Sequence, residues 1–131
     1  MNAALAERIS ADYFRDRPDV AAVYLFGSVA KGKSRPESDV DIGLLYQTPP
    51  ARTLMAQPFS EEAELTERLK RPAQLVVMNQ APVDLVHRIL RDGILVLETD
   101  RRRRVAFEVR ARNEYFDLLP VLREYRKQAV P

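Results

Sequence analysis

Val23-Tyr24-Leu25-Phe26-Gly27-Ser28-Val29-Ala30-Lys31-Gly32, followed after a turn by Ser38-Asp39-Val40-Asp41-Ile42, is the stretch that decides the fold of this chain. The apolar run Val20 to Phe26 has β-branched and aromatic members and stops at Gly27, which predicts a buried strand. A Gly-Ser turn at the end of a strand can offer backbone N–H groups to phosphate oxygens. With ten residues intervening after Ser28, Asp39 and Asp41 flank Val40 at the start of a second apolar run. Side chains at i and i+2 of a strand share a face, so both carboxylates point the same way. Two like charges there repel unless a cation neutralises them. Carboxylate oxygens suit Mg²⁺, which in turn takes nucleotide phosphates. Turn and acidic pair together read as a site for a metal-bound nucleoside triphosphate.

Working outward, Leu5, Ile9 and Tyr13 recur at i+4 and predict an opening helix that ends near Pro18. Ser28 to Ser34 reads as a short helix with Ser28 as a possible N-cap, and Arg35 to Ser38 as a turn. Asp39 to Tyr46 alternates, with Val40, Ile42 and Leu44 on one face and Asp39, Asp41 and Gly43 on the other; this predicts a half-buried strand with a polar face. After a proline-rich loop, Ser60 to Leu69 reads as a helix with Ser60 as its cap, and Ala73 to Met78 as a third strand. Pro82 suits the first turn of a helix that stops at Gly93 in the C′ role, and Ile94 to Leu97 is a fourth strand. Val105, Val109, Arg112, Phe116 and Leu119 mark a stripe on a long final helix, which Pro120 should kink or split. The order α-β-α-β-α-β-α-β-α predicts an α/β (α+β) domain, helices packed on a mixed four-stranded sheet.

With 131 residues and neither repeat nor low-complexity segment, residues 1–131 read as one domain. The chain has no cysteine, which excludes thiolate chemistry and Cys-ligated zinc. Neither a signal peptide nor a membrane-length apolar run is present, so the expected place is the cytoplasm. A net charge of +2 is weak support for nucleic-acid binding.

The quoted stretch resembles the nucleotidyltransferase superfamily of DNA polymerase β, and the chain's size fits its minimal nucleotidyltransferase (MNT) branch. The similarity continues through Leu75 to Pro82, Arg91-Asp92-Gly93, and Phe107 to Tyr125. The resemblance implies the antitoxin of a HEPN/MNT toxin–antitoxin pair, which transfers AMP from ATP to a tyrosine of its HEPN ribonuclease partner. It also implies that Gly27 and Ser28 hold the β- and γ-phosphates, and that Asp39 and Asp41 are the catalytic carboxylates and ligate Mg²⁺. Lys31, just past the turn, is a further candidate for phosphate contact. A hetero-oligomer with the toxin follows. One position departs from the family. Its third aspartate, on the next core strand, aligns with Gln74, which is a weak metal ligand and no base. Losing general-base help alone costs about 10²–10⁴ in rate. The alternative is therefore a protein of this fold that neutralises its partner by binding alone. Glu61, Glu62 and Glu64 are nearby acids that read as a solvated helix face.

His87 lacks a second ligand candidate and reads as structural or exposed. Arg101 to Arg104 opposes the helix dipole at a cost of about 0.3–1 kcal/mol per charge. The run reads as a solvated turn with the helix starting later, or as a contact for an acidic surface or RNA. Tyr115, Phe116, Leu118 and Tyr125 belong to the core or to a partner interface.

Overall fold

In the computed structural model, which describes residues 1–129, a four-stranded mixed sheet carries helices on both faces. The elements are α1 (Ala3–Phe14), β1 (Val20–Phe26), α2 (Gly27–Ala30), β2 (Val40–Tyr46), α3 (Phe59–Leu69), β3 (Ala73–Val77), α4 (Val83–Asp92), β4 (Ile94–Glu98) and α5 (Arg101–Ala129). The strand order is β3-β2-β1-β4. β1 runs antiparallel to β2 and β4, and β2 runs parallel to β3.

Alternation along β1 and β2 feeds two cores. Val23, Leu25, Ile42 and Leu44 pack with Phe14, Leu65 and Leu69, joining α1 and α3 to one face. Tyr24, Leu45, Met78, Val86, Ile89 and Ala111 form the other, under α4 and α5. β1 is central and buried on both faces, which explains its unbroken apolar run. β2 is less polar than its alternation predicts: only Asp41 is part-exposed on the supposed polar face, and Gly43 is buried. A Cβ at Gly43 would lie 2.9 Å from Met78 Sδ, so the glycine marks close packing rather than a polar surface.

Helix ends differ from the sequence reading in several places. α2 spans Gly27–Ala30 with Phe26 at the N-cap position, so Ser28 lies inside the helix and does not cap it. α3 begins at Phe59 with Pro58 at its N-cap position, not Ser60. Gly93 has an extended backbone (φ −81°), not a left-handed one; it is small because a Cβ would collide with Ile89 O and lie 3.1 Å from Leu25 O. α3 instead ends on Lys70 in the left-handed region (φ 57°).

α5 starts at Arg101, not later, because the Asp100 side chain accepts from Arg103 N at 3.0 Å. The arginine run is not a solvated turn. Arg104 pairs with Glu98 (2.6 Å) and Glu108 (3.0 Å), and Glu108 accepts from the Tyr24 hydroxyl at 2.6 Å. Arg103 donates to Tyr46 O at 3.4 Å. Arg101 and Arg102 are exposed. The helix is continuous through Pro120, whose missing N–H removes one backbone bond without splitting it. The stripe Val105, Val109, Phe116 faces outward, while Phe107 and Ala111 face the sheet. Among the described residues no helix is long and apolar enough to cross a membrane.

Lys70 carries a left-handed backbone that costs an L-residue roughly 1–2 kcal/mol, partly offset in glycine by unfolded-chain entropy. Lys70→Gly should therefore stabilise the fold by about 0.5–1 kcal/mol, read as a higher midpoint in urea unfolding. An unchanged or lower midpoint would contradict this.

Candidate active site

The register of the sheet assembles the site. Phe26 at the end of β1 pairs with Asp41 on β2, and Asp41 pairs with Gln74 on β3. Residues paired across strands share a face, so the three side chains form a row on the α4/α5 side. The chain leaves β1 through Gly27, whose φ is +76°. A Cβ there would overlap the Asp41 carboxylate, with Cγ only 3.1 Å away. Only glycine satisfies both the backbone angle and this contact. Hydrogen bonds from Lys31 N to Gly27 O (3.2 Å) and Lys33 N to Ser28 O (2.9 Å) close the following turn. The first-turn N–H groups of α2 have no partner within the helix.

Asp39 lies one residue before β2 begins, so it is exposed and not part of the strand as the alternation suggested. It is still close enough to act on Asp41. Burial pushes the Asp41 carboxyl above its ordinary value, and the negative charge of Asp39 adds to the rise. Among the described residues neither acid takes part in an ion pair, and no third acidic, His or Cys side chain completes a metal cluster with them. A crowded, unneutralised carboxylate pair beside a turn fits Mg²⁺, which needs few protein ligands and completes its shell with phosphates and water.

Gln74 is in register with Asp41, and exposed. The nearby glutamates are committed elsewhere. Glu62 accepts from Leu75 N at 3.4 Å along the open edge of β3. Glu64 accepts from the Tyr13 hydroxyl, and Glu61 pairs with Arg17 at 3.8 Å. Glu64 is exposed, as expected of a solvated face, whereas Glu61 and Glu62 are part-buried; all three also serve as structural ties. Lys31 is exposed, and its charge is felt at Asp92 rather than Asp41; Arg91 is the main cause of the lowered Asp92 carboxyl, and Lys31 adds to it. Gly27, Asp39 and Asp41 are thus brought together, with Ser28 next in the turn, while Lys31 is exposed beyond it.

Asn79 brackets the far end of β2, accepting from Tyr46 N (2.9 Å) and donating to Tyr46 O (3.0 Å). It extends the parallel ladder by a side chain, something no sequence pattern announces. His87 stacks on Tyr115 with ring centroids 3.5 Å apart, in keeping with a structural role.

Residues 9–102 match the family model for polymerase β-type nucleotidyltransferases. The fold is similar to a chain of a toxin–antitoxin complex solved with AMP-PNP (22% identity, TM-score 0.81, covering 95% of this chain and 98% of that one). It is also similar to a chain of the Shewanella oneidensis complex of tri-AMPylated HEPN toxin with MNT antitoxin (21% identity, TM-score 0.77, covering 98% and 99%). A third likeness is to a chain assigned as a minimal nucleotidyltransferase (26% identity, TM-score 0.55, covering 72% and 95%). No curated protein sequence matches the chain.

A raised carboxyl pKa means that the folded state holds the proton more tightly than the unfolded chain, so ionised Asp41 opposes folding. Stability should fall as pH rises through the window that begins at the ordinary value of 3.8 and extends above it. Divalent cation should relieve this. At neutral pH, Mg²⁺ should raise the wild-type Tm, whereas Asp41→Asn should raise the metal-free Tm and abolish the Mg²⁺ response. An equal Mg²⁺ response in both proteins, read by differential scanning fluorimetry, would contradict the assignment.

Proposed function

The chain belongs to the polymerase β nucleotidyltransferase family, and on that footing we propose that it transfers AMP from Mg-ATP to a tyrosine of a HEPN ribonuclease toxin, as that toxin's antitoxin. The observation that carries this reading is the contact between the Gly27 turn and the unpaired Asp41 carboxylate, with Asp39 beside it. Support comes from the fold shared with chains of toxin–antitoxin complexes, one solved with AMP-PNP and one with an AMPylated HEPN toxin. The reaction belongs to the cytoplasm and leaves the antitoxin in a hetero-oligomer with its target.

When bound, Mg²⁺ would neutralise phosphate charge and help the leaving group depart. Asp39 and Asp41 would hold it. The Gly27-Ser28 turn would fix the β- and γ-phosphates, leaving the α-phosphorus open to the acceptor. The tyrosine oxygen forms a bond to that phosphorus as the bond to pyrophosphate breaks, and pyrophosphate leaves with the electron pair. The tyrosine proton goes to solvent, because Gln74 offers no base. Lys31, exposed just past the turn, would add a contact to the same phosphates.

A second reading rests on Gln74 itself. Its register beside Asp41 puts a neutral amide where the family has its third acid, which favours a protein that neutralises the toxin by contact with little or no transfer.

Incubation with Mg-ATP and a HEPN-domain toxin that forms a complex with this chain separates the readings by mass spectrometry. The first predicts a gain of one or more AMP on a toxin tyrosine, abolished by Asp39→Asn. It also predicts a rise in rate with Gln74→Asp, toward the roughly 10²–10⁴ that general-base help is worth. A tight complex with no gain, and neutralisation unaffected by Asp39→Asn, would establish the second.

A further inference from the structure

Asp39 stands outside the strand that orders Asp41. It lies exposed, one residue before β2, yet it must meet the same cation as Asp41. Its two chain neighbours fix its place. On one side, Val40 N donates to Pro72 O at 2.9 Å and starts the ladder shared by β2 and β3. On the other, Ser38 closes a turn with Arg35: Ser38 N donates to Arg35 O at 3.0 Å, and Ser38 Oγ accepts from Arg35 N at 2.8 Å. Arg35, Pro36 and Glu37 are exposed, so packing does little to hold that turn.

A side chain from elsewhere does. Arg71 Nη1 donates to Arg35 O at 2.9 Å, from the loop between α3 and β3. Among the described residues it is the one hydrogen bond that joins residues 35–38 to another part of the chain, and no ion pair does so. The loop it springs from is itself anchored. Ala73 N donates to Thr66 Oγ1 of α3 at 2.9 Å, and Ala73 pairs with Val40. The adjacent residues Arg71 and Pro72 therefore clamp the chain on both sides of Asp39. Among the described residues Arg71 forms no ion pair, so the Arg35 carbonyl is the partner that the fold gives its guanidinium.

We propose that Arg71 is a positioning residue of the candidate site: by holding the Arg35 carbonyl it keeps Asp39 beside Asp41, where both can ligate one cation. The proposal rests on the reading of Asp39 as a ligand of the nucleotide's Mg²⁺. An untethered Asp39 would have to be ordered at each binding event, and that ordering weakens affinity. Charge predicts the opposite. A positive charge on the loop that flanks Asp39 repels a cation, so removing it should by Coulomb's law tighten metal binding. The sign of the change therefore separates position from charge.

The test uses the full chain and Mn²⁺ alone, with free Mn²⁺ followed by electron paramagnetic resonance. Arg71→Met should weaken Mn²⁺ binding by about threefold to tenfold at unchanged circular dichroism. Arg71→Lys, which keeps a donor, should recover part of the loss. In the metal-free protein, Arg71→Met should lower the heteronuclear ¹H–¹⁵N NOE of Ser38 and Asp39 while leaving Ile42 and Leu44 of β2 unchanged. If Arg71→Met impairs folding, Arg71→Gln, too short to reach Arg35, should show the same two effects. Equal or tighter Mn²⁺ binding by these variants, or an unchanged NOE at Ser38 and Asp39, would overturn the proposal. A wild type that binds no Mn²⁺ would defeat the catalytic reading instead, and the NOE would still decide whether Arg71 orders Asp39.

Discussion

The approach of Gly27 to Asp41 is the constraint from which the rim of the sheet takes its form. β1 must leave the sheet next to the strand that carries the acid, and it must do so with a left-handed backbone and no side chain. That places a turn of backbone N–H groups against a carboxylate that burial and Asp39 already hold above its ordinary pKa. Such an arrangement is costly for the apo protein. It is a site whose own electrostatics call for a cation, beside a turn suited to the anions that a cation would bring.

The rest of the molecule keeps that rim rigid. Asp41 sits on β2, which is hydrogen-bonded on both sides, so its position is fixed by β1 and β3 together. Below it, Gly43 lets Met78 and Ile89 close over the sheet. Farther off, Asn79 binds both backbone groups of Tyr46, and the chain of contacts Tyr24–Glu108–Arg104–Glu98 ties α5 to β1 and β4. The arginine run at the start of α5 is thus spent partly inside the fold. Arginines without an ion pair among the described residues, Arg112 and Arg126 further along α5 and Arg88 on α4, line cavities between the two helices.

The succession of strands and helices along the chain was legible because Val20 to Phe26 and Val40 to Tyr46 follow the periodicities that sheet burial requires; the order of the strands within the sheet was not. Asp39, Asp41, Gly27 and Ser28 could be nominated as a group because a motif of local spacing names them, and the fold does bring Gly27 against Asp41 with Asp39 close by. Gln74 was reached through the family resemblance; that it stands beside Asp41 rests on the parallel register of β2 and β3, which no local pattern shows. What the sequence hid is tertiary. Gly43 counted as polar but serves close packing. Val105, Val109 and Phe116 form a helical stripe that periodicity assigns to the core, yet the opposite face, with Phe107 and Ala111, meets the sheet. Ser28 and Ser60 have the chemistry of caps, but the helices begin one or more residues earlier. The glutamates of α3 gave no local sign that Arg17, Tyr13 and the edge of β3 would claim them.

The most direct measurement is anomalous diffraction from crystals grown with Mn²⁺, as a stand-in for Mg²⁺, and a non-hydrolysable ATP analogue. The account predicts an anomalous peak ligated by both Asp39 and Asp41, with the analogue's triphosphate lying in the Gly27-Ser28 turn. A triphosphate bound elsewhere, or a metal that ignores this carboxylate pair, would contradict it.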